Sequence, residues 1–209
     1  MNYRAIGMIA CLMTASACAS TSHIGPVDAD KAMLIPGSDV FLHFEQHNGA
    51  RCHLYPHYFI VERGYSNQVE NDILVKYLGT VSPKPICEYL KAPQDLEVKN
   101  IFSQYFFGIR GSLLFIDDGS GPDPRGLKVY DLNSRKKVFS GIYSRPIVIT
   151  GDHSVRYWLE RGDATEEDCP EYSEIKKHAL FPYIEDEVTL NLSTKSMKRT
   201  GRQRCVGGQ

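Results

Sequence analysis

VFLHFEQHNGARCHLYPHYFIV, residues 40–61, decides the fold of this chain. Aromatic and β-branched residues flank an Asn-Gly pair there, which is a pattern typical of a β-hairpin. A three-residue loop ending at Gly49 sets Phe44 opposite Cys52 and leaves one apolar face and one polar face. A two-residue Asn-Gly loop sets Phe44 opposite His53 and mixes the faces. The alternation therefore favours the three-residue loop.

Most of the remaining chain shows the same β character. Runs rich in β-branched and aromatic residues, broken by Gly, Asn, Asp or Pro, predict strands at residues 73–78, 105–109, 112–117, 127–132, 137–142, 146–150, 155–160 and 187–192. One short helix is predicted from Pro170 to Leu180, because Pro suits the first helical position and apolar residues repeat on one face. We expect an all-β fold, an antiparallel sandwich or open barrel with one short helix near 170–180.

A weak internal repeat supports this plan. Residues 127–141 and 187–201 align without a gap, with Leu132 matching Leu192 and Gly141 matching Gly201. Such strand-turn-strand units occur in sandwiches and in propeller blades, so a small β-propeller-like arrangement is the alternative. About 190 mature residues leave room for at most about four blades of 40 to 45 residues, which favours the sandwich.

The overall composition excludes several classes of protein. The chain has 209 residues, 42% of them hydrophobic, with 24 Lys and Arg against 25 Asp and Glu. This composition is unlike that of disordered, collagen-like and coiled-coil chains. Because the charges nearly balance, we expect no nucleic-acid partner.

The N-terminus has the layout of a secretory signal. Arg4 stands in a short polar start, and an apolar stretch follows from Ala5 to Ala17. That stretch is too short to span a bilayer, which needs about 20 apolar residues. Residues 1–17 are therefore assigned to a signal peptide, residues 18–39 to a small, polar tether, and residues 40–209 to a single β-rich domain.

Ala15-Ser16-Ala17-Cys18 resembles the lipobox of bacterial lipoproteins, although Ala15 stands where Leu is commonest. The resemblance implies that Cys18 carries fatty acyl chains such as palmitate and becomes the new N-terminus. Residues 19 and 20 carry no acidic side chain, so it also implies an outer-membrane lipoprotein that faces the periplasm. The alternative is ordinary cleavage at a small-x-small site, which would give a soluble periplasmic or secreted protein.

Four cysteines remain after Cys18, an even number suited to an oxidising compartment. Three pairings are open, and we favour the neighbours along the chain, which are Cys52 with Cys87 and Cys169 with Cys205. The second bridge would bring the acidic segment 163–174 against a basic tail, residues 195–204. Because the chain has no Cys-x-x-Cys motif, a thiol-redox role is not expected.

Four histidines fall close together in the hairpin, at positions 43, 47, 53 and 57. In the three-residue register His43 lies opposite His53, with Glu45 one pair along. Imidazole is the commonest metal ligand in proteins. A zinc or copper site using His43, His53 and Glu45 is therefore one hypothesis, and an exposed polar face is the other. No resident cofactor is expected from any other motif.

The loop at residues 117–126, DDGSGPDPRG, is the most unusual stretch of the chain. It lacks the spacing of a calcium loop, the lysine of a phosphate loop and the Gly-x-Ser-x-Gly motif of serine hydrolases. A long, punctuated loop is a suitable place for partner contact. The residues proposed for that contact are Asp117, Asp118, Ser120, Asp123 and Arg125.

These observations favour a non-enzymatic binding protein of the bacterial envelope, held by its lipid and acting on a protein or an envelope component. An immunity or inhibitor lipoprotein against a secreted enzyme is one alternative. A metal-assisted periplasmic hydrolase using the His43/His53 face is the other. It is the weaker one, because no nucleophile, base and orienting group occur together at a suitable spacing.

Overall fold

The structure, a computed structural model, describes residues 34–64, 71–79, 85–99, 103–119 and 121–208. Within these ranges the chain forms two antiparallel sheets whose strands follow one another in sequence order. The five-stranded sheet consists of β1 (His43–His47), β2 (Ala50–Leu54), β3 (Tyr58–Gly64), β4 (Asn71–Tyr77) and β5 (Leu96–Val98). The seven-stranded sheet consists of β6 (Gln104–Arg110), β7 (Leu113–Asp118), β8 (Arg125–Asp131), β9 (Lys136–Gly151), β10 (Ser154–Asp163), β11 (Phe181–Asn191) and β12 (Ser196–Gly208).

The prediction of an antiparallel all-β fold with one short helix is confirmed. The helix α1 spans Tyr172–Lys177, inside the predicted range, and lies between β10 and β11. The strands form sheets of five and seven rather than the four-stranded blades of a propeller. No helix in the described part of the chain is long and apolar enough to cross a bilayer.

The register predicted for the first hairpin is wrong. Phe44 pairs with His53 and Glu45 with Cys52 across a two-residue turn. Asn48 and Gly49 both have positive φ, 47° and 77°, as a type I′ turn requires. In this register both faces of the hairpin carry apolar residues, because the five-stranded sheet packs against other parts of the protein on both sides. The alternation of apolar and polar residues therefore could not identify the register. His53 belongs to one buried face, and Cys52 belongs to the other.

Two predicted strands, 137–142 and 146–150, are halves of the single long strand β9. Its first half pairs with β8 and its second half with β10. Asn133, which precedes β9, and His153, which follows it, line one cavity of about 390 Å³. A straight strand of this length would hold its ends about 50 Å apart. The strand therefore bends back on itself near Ser144 and folds the seven-stranded sheet into two layers.

Two cores lie on opposite faces of the middle layer, which contains β6, β7 and β8. Leu113 and Phe115 of β7 join a core with the inner faces of β9, β10 and β11. Leu114 and Ile116 of the same strand point into a second core against the five-stranded sheet. The molecule is thus built as three layers with these two cores between them, and smaller buried clusters lie on the second face of the five-stranded sheet and beside α1.

Residues at the end of the predicted tether are part of the fold. Ile35 is buried, and its backbone N–H donates to the Phe107 carbonyl at 2.7 Å. Gly37 has φ +88°, and a Cβ there would lie 2.3 Å from the Ile149 carbonyl oxygen, so this close approach requires glycine. Ile35 and Gly37, which the prediction assigned to the tether, are therefore packed into the fold.

The internal repeat corresponds to two hairpins with the same turn. Asp131 and Asn191 each accept backbone N–H groups two residues on, and Arg135 and Lys195 both have positive φ. The shared leucines are equivalent too, because the N–H of Leu132 and that of Leu192 each donate to the carbonyl of a neighbouring turn.

Both predicted disulfides are present. Cys52 is bonded to Cys87 and Cys169 to Cys205, with Cα atoms 5.8 and 5.4 Å apart. The first bridge lies in the core on the second face of the five-stranded sheet, and the second ties the segment before α1 to β12. Because such bonds persist under oxidising conditions, the pairs indicate an extracytoplasmic environment.

Candidate functional site

Two of the predicted contact residues hold the 117–126 loop together. The Arg125 guanidinium donates to both carboxylate oxygens of Asp117, with Nε distances of 2.8 and 3.0 Å. The same guanidinium donates to the carbonyls of Gly119 and Gly121. Hydrogen bonding to Asp117 raises the pKa of Arg125 above its ordinary value. Asp117 and Arg125 thus fix the shape of the loop from inside.

The other predicted loop residues lie nearer the surface. Asp118 forms an ion pair with Lys128, Oδ2 to Nζ 2.6 Å. Asp123 accepts from the backbone N–H and the Nε of Arg145 at 3.1 and 3.0 Å. Ser120 lies outside the described residues. The contact hypothesis is therefore carried by the surface that Asp123 shares with its neighbours.

Asp123 is linked to the basic tail through Arg145. The guanidinium of Arg204 donates to the Arg145 carbonyl at 2.7 Å, and Arg145 is the partner of Asp123. The bend of β9 thus brings together the loop and the tail, two surfaces that lie far apart in the sequence. The tail arginines do not turn toward the acidic segment 163–174, however, because their ion pairs go to β11.

Three consecutive acidic residues of β11 are buried next to these arginines, and they were not among the residues predicted from the sequence. Glu185, Asp186 and Glu187 are 0, 4 and 5% exposed. Their ion-pair partners are Arg204 for Glu185, Arg199 and Arg161 for Asp186, and Arg202 and Arg156 for Glu187. Buried carboxylates persist only when they are paired. The available signal was an acidic triplet inside an apolar strand, faced by Arg residues in the next hairpin strand.

Trp158 also helps to hold two of the tail arginines in place. Its side chain is buried, and the guanidinium carbons of Arg202 and Arg204 lie 5.6 and 4.5 Å from the ring centroid. Cation–π attraction adds to the ion pairs in fixing both guanidinium groups. We use "arginine face" for the outer surface of β10, β11 and β12 that carries Arg156, Lys198, Arg202 and Arg204.

A shallow groove of about 500 Å³ lies on the same three strands. The residues that line it are of hydroxyl, amide and cationic type and are Ser154, Thr189, Asn191, Ser196, Lys198, Arg199 and Thr200. Thr200 connects the groove to the arginine face, because its hydroxyl donates to Glu187 Oε2 at 2.8 Å. The groove and the face are therefore one continuous polar surface.

The three proposed metal ligands do not share one surface. The observed register places His43 and Glu45 on one face of β1, with Nε2 and Oε2 3.4 Å apart. His53 points to the opposite face, where its Nε2 lies 3.0 Å from Glu62 Oε1. The rings of Phe41, Phe44 and Phe106 surround it. His53 is thus enclosed in a core instead of sharing a surface with His43.

One group of three possible metal ligands occurs within the described ranges, at Cys169, Glu171 and Cys205. Its two cysteines are joined by the second disulfide, so they do not offer the thiolates that zinc binds.

Comparisons of the chain with protein-family models, with curated proteins and with solved structures found no match.

Proposed function

We propose that the chain is a non-enzymatic binding protein of the bacterial envelope, anchored in the outer membrane by lipid on Cys18 and facing the periplasm. Its contact surface is the arginine face together with the adjoining loop around Asp123. The observation that carries the proposal is the pair of buried carboxylates Glu185 and Glu187, which fix surface arginines from beneath.

Arginines held in this way suit recognition of an anionic group. Their charged ends remain open, since the side chains of Arg156 and Arg202 are 43 and 67% exposed. Side chains already fixed by Glu187 lose less conformational freedom when a partner binds. The planar guanidinium also matches carboxylate and phosphate groups. The surface is therefore preorganised for an acidic partner.

The geometry favours binding over metal-assisted hydrolysis. A hydrolase of the kind considered above needs His43 and His53 on one accessible surface. The observed hairpin separates them, and His53 and Glu62 are 2 and 3% exposed. An immunity or inhibitor protein would use the same arginine face, with a secreted enzyme as its acidic partner.

The proposed surface is tested by charge removal with a matched control. The double variant Arg156→Gln/Arg202→Gln removes two cations of the face, and Lys136→Gln/Lys137→Gln removes two exposed cations at the start of β9. We expect the first to abolish recovery of the mature chain with an envelope fraction and the second to leave it unchanged. Thermal unfolding verifies that each variant folds, and Lys198→Gln tests the face without touching a buried carboxylate. Equal recovery of all variants would contradict the proposal.

The anchor is tested separately in a Gram-negative host. We expect the wild-type chain to incorporate a palmitate analogue. The Cys18→Ala variant should incorporate none and should be released from the outer membrane. A wild-type chain that incorporates no label would contradict the lipid anchor. The role of the arginine face would still be tested by the charge-removal variants.

A further inference from the structure

Side chains of the arginine face are arranged in rows across β10, β11 and β12. One row is cationic at both ends and consists of Arg156, Thr189 and Lys198. The next row toward the hairpin turns is uncharged and consists of Ser154, Asn191 and Ser196. Rows on one face are about 7 Å apart and strands about 5 Å apart. The two rows therefore form one compact patch, cationic on one side and rich in hydroxyl and amide groups on the other.

The cationic side is reinforced through Glu187. Arg156 and Arg202 both approach Oε1 of this carboxylate, at 3.6 and 2.9 Å. The two guanidinium groups are therefore close together. Each guanidinium carries five N–H donors, so donors remain on both for an incoming anion. With Lys198 on the same surface, the patch fits a group that carries two negative charges.

The uncharged side keeps hydrogen-bonding capacity of its own. Ser154 Oγ accepts from Thr150 Oγ1 at 3.1 Å, which leaves the Ser154 hydroxyl hydrogen to be donated. Asn191 Oδ1 accepts the N–H groups of Ser193 and Thr194, so the amide is oriented and its NH₂ donors remain. Fixed donors and acceptors next to a cationic row complement the hydroxyl groups of a sugar.

The composition of the groove favours a saccharide over a protein. Its lining residues include no aromatic or aliphatic side chain. The centres of protein interfaces are enriched in Tyr, Trp, Phe, Met and Arg and depleted in Lys and Ser. Apart from Arg199 the groove has the opposite composition, and the Trp of this face is buried beneath its arginines.

We propose that the arginine face binds the phosphorylated saccharide headgroup of an envelope glycolipid. The phosphate lies between Arg156, Arg202 and Lys198, and the sugar occupies the groove lined by Ser154, Asn191 and Ser196. The inference rests on the proposed function and names the chemical class of its ligand.

The chain provides its own reporter of binding. Trp158 is the single tryptophan and lies under Arg202 and Arg204, so a phosphate on these arginines changes its fluorescence. The mature chain is titrated with glucosamine 1-phosphate, inorganic phosphate, glucosamine and an oligoglutamate peptide. We expect glucosamine 1-phosphate to bind about tenfold more tightly than inorganic phosphate, as one or two extra hydrogen bonds would give. Neutral phospholipid vesicles are expected to bind the Cys18→Ala chain, which carries no acyl group of its own, only when they contain a phosphorylated glucosamine glycolipid.

Two variants separate the halves of the site. Arg202→Gln is expected to lower the affinity for glucosamine 1-phosphate and for inorganic phosphate equally, by about tenfold. Ser154→Ala/Ser196→Ala is expected to lower only the affinity for glucosamine 1-phosphate, to the value measured for inorganic phosphate. Lys136→Gln is the control, and thermal unfolding checks each fold.

Equal affinity for inorganic phosphate and sugar phosphate, tighter binding of oligoglutamate, or indifference of the vesicles to the glycolipid would each overturn the inference. If envelope recovery still depends on Arg156 and Arg202 in that case, the proposed function stands with a different ligand. If recovery is also independent of these arginines, both proposals fail.

Discussion

Asp117 accepts hydrogen bonds from two partners at once, one half-buried and one buried. One is the Arg125 guanidinium, and the other is the Tyr143 hydroxyl, which donates to Oδ1 at 2.7 Å. Burial, followed by the charge of Asp117, raises the pKa of Tyr143 above its ordinary value. The carboxylate therefore joins the 117–126 loop to the bend of β9, and its main role is structural.

We expect Asp117→Asn to lower the free energy of unfolding by about 2 to 3 kcal/mol, because charge-assisted hydrogen bonds are lost in a nearly buried site. Asp123→Asn, in the same loop, removes an ion pair with the exposed Arg145 and should cost less than about 1 kcal/mol. Urea denaturation of both variants provides the measurement. Equal effects of the two substitutions would show that Asp117 does not organise the loop.

The turn of the first hairpin allows a test at the scale of one element. Added Cβ atoms at Gly49 and Gly121 would meet nothing within 4 Å, but only Gly49 has positive φ. Gly49→Ala should therefore destabilise by about 1 to 2 kcal/mol through backbone conformation alone, whereas Gly121→Ala should have little effect. Chemical denaturation of both variants measures the difference, and a neutral Gly49→Ala would argue against the two-residue turn.

The elements also show what the sequence could and could not predict. Short-range signals were sufficient for most of the strands and for α1, since these depend on local composition, whereas the three-residue β5 and the exposed β12 were not among the predicted strands. The hairpin register was missed because the polarity of a face is informative only when one face meets water, and here both Cys52 and His53 are buried. The acidic triplet was missed because Glu185 and Glu187 gain their partners from β10 and β12, and such pairing depends on tertiary structure.

At the scale of the whole molecule, buried tyrosines predict instability in alkali. Burial raises the pKa of Tyr157 to about 12 and raises that of Tyr55 further. The unfolded phenol has a pKa of about 10, so the folded state favours the neutral form. This contribution is complete below about pH 10 and is lost as the pH rises through about 12. Circular dichroism and tyrosinate absorbance should therefore change together in that range.

Tyr157→Phe provides the matched variant for this test. The Tyr157 hydroxyl is buried and has no hydrogen-bond partner among the described residues. Its removal should leave stability at neutral pH unchanged or slightly higher and should move the alkaline transition upward. An alkaline transition of Tyr157→Phe at the same pH as that of the wild-type chain would contradict the expectation.

The double burial of β7 has a consequence for how the sequence is free to vary. Leu113 and Phe115 serve one core and Leu114 and Ile116 the other, so no position in this run has a side open to water. A one-residue shift in the register of β7 would exchange the side chains that point into the two cores. A polar side chain at any of these positions would be buried, whichever face it is on. Strand β12 is exposed along most of its length. Inherited change is therefore expected to be nearly forbidden in β7 and to collect in β12 only at positions outside the arginine face, the groove and the second disulfide.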